Sequence, residues 1–297
     1  MKVPNPLQEI YETCNRPMKE KAGNLPPFPR MIDIELTNAC NFRCVMCPTG
    51  QRTVRRKTGF MDYELFMEIL CQVYTYNTPL RFIRWGEPML YPKLQDAIVD
   101  TKTFGLICHI NTNGSLIDND WNRFFVESCL DSIKFSFQGT SKVGYEFMRN
   151  SPDYAGLLDR IRDLYELRES YSASAPFIQI GTTVTNETES DIRAFIDSVD
   201  KFTDAVYVGK TRDLQTPSKP DQFCECPEVF DKLSVNWDGS VSACCGDYDN
   251  YTIVGNLKEQ SLKDIWTGKP MQEMRKMLLE YRHNENYLCA RCARSLL

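Results

Sequence analysis

No apolar run in the sequence approaches the roughly 18 residues that a membrane-spanning helix needs. The first residues, MKVPNPLQEIYETC, contain no apolar segment of the kind that marks a secretory signal. Basic residues form no long run either, and the single basic cluster, RTVRRK at 52–57, predicts a solvated loop. Together with a net charge of −5, these absences argue against a membrane protein, an exported protein and a nucleic-acid surface. We therefore expect a cytoplasmic protein with neither membrane nor nucleic acid as a partner.

Histidine is scarce, with two residues, whereas cysteine is abundant, with thirteen. An odd number of cysteines without an export signal does not fit a disulfide framework. In a reducing compartment, clustered thiols bind metal or do redox chemistry. Four isolated cysteines are predicted to be small buried residues: Cys14, Cys71, Cys108 and Cys129. The other nine form two groups, Cys40, Cys44 and Cys47 near the start and Cys224, Cys226, Cys244, Cys245, Cys289 and Cys292 near the end.

Strand-like runs alternate with helix-like segments from residue 31 to about residue 210. The strand-like runs are MIDIELT, LRFIRW, LICHINT, SIKFSF, FIQIGTTVT and AVYVG. The helix-like segments between them are DYELFMEILCQVY, KLQDAIVDTKTF, DNDWNRFFVESCL, YAGLLDRIRDLYELRES and ESDIRAFIDSVDKF. This alternation predicts an α/β protein with a parallel sheet, either a partial barrel or an open doubly wound sheet. In both folds the loops after the strands carry the chemistry.

Composition divides the chain into three parts. Residues 1–30 are polar and proline-rich and predict an extension that wraps a surface. Residues 31–215 contain the β/α alternation. In 216–297 the alternation stops after a linker-like stretch, TRDLQTPSKPDQ, and LSVNWDGSVSACC predicts a hairpin that turns at Asp238-Gly239. We expect this last part to be a small cysteine-rich domain with a helix over KPMQEMRKMLLEYRH.

The first cysteine group has the spacing Cys-x3-Cys-x2-Cys over Cys40, Cys44 and Cys47. A structural zinc site needs four ligands, and no fourth cysteine or histidine lies nearby. Thiolates on one loop suit an iron–sulfur cluster, whose ligands are cysteines. Three thiolates on a four-iron cluster leave one iron open, so that a small molecule can coordinate it.

CNFRCVMC resembles the cluster-binding motif of the radical S-adenosylmethionine (SAM) superfamily, which has a partial (β/α)6 TIM-like barrel, here over roughly residues 31–210. In that family the open iron binds the amino and carboxylate groups of SAM. Reductive cleavage then gives methionine and a 5′-deoxyadenosyl radical that abstracts hydrogen from the substrate. The resemblance implies that Cys40, Cys44 and Cys47 hold a [4Fe-4S] cluster. The chain departs from the usual motif at Met46, where the family usually has an aromatic residue.

The later strand ends carry further motifs of the family. RWGEP at 84–88 resembles its GGEP motif, with Trp85 in place of the first glycine, and Gly86 allows a close approach of the backbone. NTNG follows the third strand-like run, and polar residues follow the fourth. Each of these could by itself be turn chemistry. The residues expected to contact SAM by this resemblance are Met46, Trp85, Gly86, Glu87, Asn113, Ser136 and Gln138.

The second cysteine group allows two interpretations. One is a zinc ribbon, which the final CxxC and two more cysteines could form. The other is a second cluster, because VNWDGSVSACC together with LCARC resembles the short "twitch" form of the SPASM extension in the same superfamily. That resemblance favours an auxiliary [4Fe-4S] cluster, with Cys224 as an alternative to the second member of CEC. The implied ligands are Cys226, Cys244, Cys289 and Cys292.

Cys245 is not needed as a ligand and is our candidate catalytic residue. Radical epimerases of the superfamily return a hydrogen atom to the substrate from such a cysteine, whereas a packed core thiol is the alternative. Epimerisation of a sugar or aminocyclitol carbon is the first hypothesis. A dehydrogenase that passes an electron to the auxiliary cluster is the second, and a peptide-modifying enzyme is the third. A zinc-ribbon interaction protein would leave the first cysteine group unexplained.

The expected partners follow from the same resemblance. A small substrate, such as a sugar, an aminoglycoside or a nucleotide-linked compound, is favoured over a peptide. SAM cleavage also requires an external one-electron reductant such as flavodoxin or ferredoxin.

Overall fold

The computed structural model describes residues 2–211, 226 and 228–292. Within this part of the chain, nine strands form one sheet in the order β6-β5-β4-β3-β2-β1-β7-β8-β9. The strands are β1 Met31–Ile34, β2 Leu80–Phe82, β3 Cys108–Thr112, β4 Ser132–Ser136, β5 Phe177–Val184, β6 Ala205–Lys210, β7 Lys232–Val235, β8 Ser240–Ser242 and β9 Ile253–Asn256.

Strands β1 to β6 are parallel, and each pairs with the next strand along the chain. In a doubly wound sheet the first strand lies inside and the order reverses beside it. The sequential order found here is that of a barrel that is left open between its first and last strands. The structure thus confirms the partial barrel, and all six predicted β/α strands are present.

Helices precede β1, connect the successive barrel strands and flank the three C-terminal strands. Each of the five predicted barrel helices is present. A sixth, α6, was not predicted, although Ser141 caps its first turn by accepting from the amide of Gly144. The helices are α1 Gln8–Cys14, α2 Met18–Gly23, α3 Tyr63–Tyr74, α4 Leu94–Thr103, α5 Asn119–Glu127, α6 Lys142–Arg149, α7 Tyr154–Ser170, α8 Glu189–Val199, α9 Glu228–Asp231, α10 Leu262–Thr267 and α11 Lys269–Leu279.

Side chains alternate across the barrel strands. On β1, Ile32 and Ile34 join the hydrophobic core beneath the helices. Asp33, between them, faces the barrel interior, where it pairs with Arg81 of β2, its neighbour in register. Because partners in register point to the same side of a parallel pair, the next strand places His109 in the same layer. The interior of the barrel is therefore polar and charged.

The C-terminal part is joined to the barrel by its first strand. β7 pairs with β1 in parallel, with Met31 opposite Lys232, and then continues antiparallel into β8 and β9. The predicted hairpin turn at Asp238-Gly239 is confirmed, and Gly239 has φ of +88°. The predicted linker lies outside the described residues except for Thr211. The sequence did not indicate that the barrel and the cysteine-rich part share one sheet.

The N-terminal extension contains two helices rather than a simple wrap. The ammonium group of Lys21 on α2 pairs with the buried carboxylate of Asp231, next to β7. The indole Nε1 of Trp266 donates to the carbonyl of Pro26 at 2.8 Å. These contacts fix the extension to the C-terminal part.

Two predictions about isolated cysteines are wrong. Cys14 and Cys108 are buried as expected, but Cys71 and Cys129 are exposed. Cys71 lies on the outer face of α3, and Cys129 follows α5 with φ of +54°. In the described residues no helix is both long and apolar enough to cross a membrane.

Candidate active site

The loop after β1 carries the first cysteine group. Its backbone is folded by hydrogen bonds from the amide of Cys47 to the carbonyl of Cys44, at 3.2 Å, and from the amide of Gln51 to the carbonyl of Cys47, at 2.9 Å. Gly50 lies so close to Cys44 that a Cβ at position 50 would come within 2.5 Å of the Cys44 carbonyl oxygen. The three thiols are thus presented by a compact loop at the carboxyl end of the first strand.

Helix α6 supports this loop from the outside. The carbonyl of Met148 accepts from the amide of Val45 at 2.9 Å. Arg149, at the end of the helix, stacks over the ring of Phe42, and its charge opposes the rise in the pKa of Cys44. Sequence reasoning missed this helix, although a serine cap at Ser141 and an arginine in the last turn are its signals.

The three thiols influence one another. Burial raises the pKa of Cys40 to about 11, and its neighbours Cys44 and Cys47 contribute to the rise. Thiolates held together in a buried place need a cationic centre to compensate their charge. Among the described residues, no three His, Cys, Asp or Glu side chains converge on a point that would suit one metal ion. Each thiolate of a four-iron cluster binds a different iron, so three thiols presented on one loop suit such a cluster.

The RWGEP loop after β2 packs directly against the cysteine loop. A Cβ at Gly86 would come within 2.0 Å of the Thr37 carbonyl oxygen, so that only glycine fits there. The amide of Glu87 donates to the carbonyl of Ala39 at 2.7 Å. Gly86 was predicted to allow close approach of the backbone, and its close neighbour is the loop that carries Cys40.

The carboxylate of Glu87 joins the RWGEP loop to the end of β3. It accepts from the amide of Asn113 and from the hydroxyl of Thr112, both at 2.7 Å, and from the amide of Met89 at 3.1 Å. Burial raises the pKa of Glu87, and these three donors oppose that rise. The side chain therefore orders the two loops.

Asn113 connects the end of β3 to the cysteine loop. Its Nδ2 donates to Oδ1 of Asn41 at 2.8 Å, and its Oδ1 accepts from the hydroxyl of Ser115 at 2.7 Å. Asn41 also donates to that hydroxyl at 2.9 Å. The predicted site residues Gly86, Glu87 and Asn113 therefore meet around one loop, and Asn41 is a member of the network that the sequence did not single out.

Trp85 lines a cleft of about 420 Å³ next to Cys40, together with three arginines. Its indole Nε1 is buried and has no hydrogen-bond partner among the described residues. Arg56, from the RTVRRK run, also lines this cleft but is not solvated as predicted. Its guanidinium pairs with the fully buried carboxylate of Glu35, next to β1. Buried charges require such partners, and the local charge pattern could not reveal that Glu35 would be one.

The remaining predicted SAM contacts take no part in the described hydrogen bonds of this network. Met46 is half-buried between Cys44 and Cys47 in the loop. Ser136 ends β4 opposite Gly181 of β5, and is also half-buried. Gln138 is buried, where it donates to Thr211 at 2.7 Å and accepts from Thr183 at 2.6 Å.

The second cysteine group is brought together by the hairpin and the final turn. Cys226 and Cys292 both contribute to the rise in the pKa of Cys289 to about 12, for which burial is the main cause. Cys226 also acts on Cys244, whose Sγ accepts from the amide of Gly246 at 3.3 Å. The four predicted auxiliary ligands thus neighbour one another. Cys224 lies outside the described residues.

The pKa of Cys245 shifts in the opposite direction to that of its neighbour Cys244. The two adjacent thiols share a hydrogen bond, which raises the pKa of Cys244 and lowers that of Cys245. The other groups that act on Cys245 are charged and include Glu228, Lys232 and the barrel residue Asp33. Cys245 is half-buried. Cys245 is therefore within electrostatic range of charged residues of β1 and β7 and is hydrogen-bonded to a predicted auxiliary ligand.

Two family models match the chain. The model of the radical SAM superfamily matches residues 34–199, which is more than half of the sequence. The chain belongs to the radical SAM superfamily. The SPASM model, described as an iron–sulfur cluster-binding domain, matches residues 224–293. The matches cover the barrel and the cysteine-rich part respectively.

Two known proteins and one solved structure are similar to the chain over most of its length. A tungsten-containing aldehyde ferredoxin oxidoreductase cofactor-modifying protein from Pyrococcus furiosus is 25% identical over 296 residues, covering 81% of each chain. A SAM-dependent 2-deoxy-scyllo-inosamine dehydrogenase from Niallia circulans is 24% identical, covering 88% of this chain and 92% of that one. The crystal structure of BtrN in complex with AdoMet and 2-DOIA matches with a TM-score of 0.61 at 20% identity, covering 89% and 92%. This structural likeness confirms the fold.

The radical SAM and SPASM domains imply SAM and two iron–sulfur clusters as the cofactors of this enzyme. The donor sets fit them, since three thiols lie on one loop and four neighbouring thiols lie in the C-terminal part. The Nε1 of Trp85, which has no partner in the described part of the chain, and the close backbone packing at Gly86 lie beside the first set. Sequence reasoning identified these elements but missed the residues that hold them in place, among them Asn41, Arg56 and Arg149.

Proposed function

We propose that this radical SAM enzyme epimerises a carbon of a sugar or aminocyclitol, with Cys245 as the hydrogen-atom donor. The observation that carries the proposal is the position of Cys245. Cys245 is half-buried, follows the predicted ligand Cys244 directly in the chain, and lies within electrostatic range of Asp33 and Lys232.

In this proposal Cys40, Cys44 and Cys47 hold the cluster to which SAM binds. Cys226, Cys244, Cys289 and Cys292 hold the auxiliary cluster. SAM and its cluster supply, when bound, the radical that removes a hydrogen atom from the substrate. The predicted SAM contacts orient that cofactor above the barrel interior: Met46, Trp85, Gly86, Glu87, Asn113, Ser136 and Gln138.

Cys245 completes the reaction. Its S–H bond breaks, and a new C–H bond forms on the opposite face of the substrate carbon, which inverts the centre. The S–H bond is weaker than most C–H bonds, so this transfer is downhill. One electron and one proton must then restore the thiol. A second electron is used in the cleavage of SAM, and an external one-electron reductant such as flavodoxin or ferredoxin would supply both.

Solvent deuterium tests this donor, because a thiol exchanges its hydrogen with water. The anaerobic holoenzyme would be incubated in heavy water with reductant, SAM and a panel of aminoglycosides, aminocyclitols and nucleotide sugars. An epimerised product should carry one deuterium at the inverted carbon. Cys245→Ala should still form 5′-deoxyadenosine but no epimer, whereas the exposed Cys71→Ala should retain full activity. Full epimerisation by Cys245→Ala would refute the donor role.

Alcohol oxidation is the second candidate. It is favoured by the neighbouring set of four auxiliary thiols and by the relative named as a 2-deoxy-scyllo-inosamine dehydrogenase, whose alignment covers about nine-tenths of both chains. The substrate radical would then lose a proton and pass an electron to the auxiliary cluster. The product would be two hydrogens lighter and would carry no solvent deuterium at that carbon.

A peptide substrate has less support. The PqqA peptide cyclase from Gluconobacter oxydans is 27% identical, but its alignment covers 41% of this chain and 34% of that protein. A small molecule therefore remains the proposed substrate.

A further inference from the structure

Lys134 lies in the barrel interior, in the middle of β4. Its neighbours in register are Asn111 on β3 and Gln179 on β5, and the residues on either side of it, Ile133 and Phe135, face the core. Its side chain extends along the inner face of β5. A Cβ at Gly181 would lie 2.1 Å from Cε of the lysine and 3.0 Å from its Nζ. A glycine at this position leaves the space that the lysine occupies.

The ammonium group of Lys134 has no counter-ion among the described residues. Neither a carboxylate nor a hydrogen-bond acceptor within range contacts its Nζ in that part of the chain. The Nζ of Lys134 lies 5.1 Å from the centroid of the Tyr207 ring on β6. Burial, assisted by the positive charge of Arg81, lowers the pKa of Lys134 to about 8. The lysine is thus a cation in an environment that disfavours its charge.

The other charged residues of the interior are paired. The guanidinium of Arg81 bonds to Asp33 at 2.6 Å, and the ammonium of Lys232 lies 2.9 Å from Glu228. His109 is neutral at physiological pH, because burial lowers its pKa to about 3. Among the described residues of the barrel interior, Lys134 is therefore the cation that has no acidic partner. Lys134 itself is half-buried, so its ammonium group is partly enclosed, has no described counter-ion and is still accessible to an anionic ligand.

We propose that Lys134 binds an anionic group of the substrate, a carboxylate or a phosphate. Ser136, a predicted SAM contact, lies two residues further along the same face of β4, so a substrate held by Lys134 would lie next to SAM. The exposed ring of Tyr207 forms the wall beside the ammonium. This inference rests on the proposed small-molecule function and narrows its substrate to an anionic sugar or cyclitol derivative, in preference to a polycationic aminoglycoside.

Binding of matched probes tests the inference without turnover. Glucose 6-phosphate and glucuronate are the anionic probes, glucose is the neutral one and kanamycin is the cationic one. Calorimetry with the anaerobic, SAM-loaded enzyme should show at least one anionic probe binding about tenfold tighter than glucose or kanamycin, as expected for a charge-assisted contact. Lys134→Met should lose this preference. Lys142→Met, which removes an exposed lysine from α6, should retain it.

A second measurement distinguishes a binding residue from a structural one. Because no acidic group in the described part of the chain compensates the charge of Lys134, Lys134→Met should leave the melting temperature unchanged or raise it. A fall of about 2–4 °C or more would mean that the chain itself pairs the ammonium, and would overturn the proposal. No preference for either anionic probe in the wild-type protein would overturn it as well. The deuterium experiment addresses epimerisation separately, since probe binding requires no hydrogen transfer.

Discussion

The guanidinium of Arg84 donates a hydrogen bond to the main-chain carbonyl of Cys244 at 2.8 Å. It also bonds to Oδ1 of Asn236 at 2.7 Å and to the carbonyl of Asp247 at 3.0 Å. Arg84 directly precedes Trp85 in the loop beside the first cysteine group. One side chain therefore joins the RWGEP loop to the loop that carries a predicted auxiliary ligand.

Replacing Arg84 should disturb the auxiliary cluster more than the first one. Arg84→Met leaves three acceptors without their donor, which costs about 2–3 kcal/mol for a charged donor. We expect a lower melting temperature and an altered electron paramagnetic resonance signal of the auxiliary cluster. Arg123→Met, at an exposed position on α5, is the control. An unchanged signal and melting temperature in Arg84→Met would show that the three hydrogen bonds of Arg84 do not stabilise the loop that carries Cys244.

Gly86→Ala should impair the first cluster and SAM cleavage. The added methyl group would overlap the carbonyl of Thr37, at 2.0 Å, and push apart the two loops that meet there. Overpacking of this kind costs about 1–3 kcal/mol of folding stability. Displacement of the cysteine loop would also misplace the reacting groups, so we expect dithionite-driven formation of 5′-deoxyadenosine to fall about tenfold. Gly23→Ala is the matched control, because its Cβ would meet no atom within 4 Å. Wild-type cleavage by Gly86→Ala would contradict the close packing.

Iron content decides which cysteine of CEC binds the auxiliary cluster. Cys226 neighbours the thiols of Cys244 and Cys289. Two four-iron clusters give about eight irons per chain, so Cys226→Ser should retain about four after anaerobic reconstitution. Cys224→Ser should retain about eight. The reverse result would exchange the two assignments, and zinc in place of iron would reject the auxiliary cluster.

His109 should make the protein sensitive to acid. Its Nδ1 lies 2.8 Å from the hydroxyl of Ser132 and its Nε2 lies 3.1 Å from Oδ1 of Asn111, which fits a neutral ring. Because burial lowers its pKa to about 3, the unfolded chain binds a proton near pH 6.5 that the folded chain does not bind.

The unfolding free energy should therefore decrease as the pH falls below about 6.5, by up to about 1.4 kcal/mol per pH unit. Urea unfolding between pH 5 and 7.5 would measure this slope. The slope measured for His109→Gln should be smaller than the wild-type slope by up to about 1.4 kcal/mol per pH unit. Equal slopes for variant and wild type would show that the histidine becomes protonated without unfolding.

The sequence by itself determined the barrel strands, five of the helices between them and the order of these elements. Hydrophobic periodicity predicted the six barrel strands and the five helices between them, because each must bury one face against its neighbours. The two cysteine groups were visible for a similar reason, since metal ligands on one loop leave a short spacing. Gly86 and the hairpin turn at Gly239 were readable because only glycine suits such positions.

Tertiary structure alone decided which distant residues meet. The pairing of β7 with β1, which places the C-terminal part beside the barrel, depends on long-range hydrogen bonds that leave no local pattern. The burial of charged side chains also could not be predicted from the local sequence. Arg56 was predicted to be solvated, but it pairs with the buried Glu35 next to β1. Lys134 became distinctive only when the fold paired the other interior cations and left this one with no partner among the described residues. Pairing between elements is a property of three-dimensional packing, and here it distinguishes structural charges from the one that we assign to substrate.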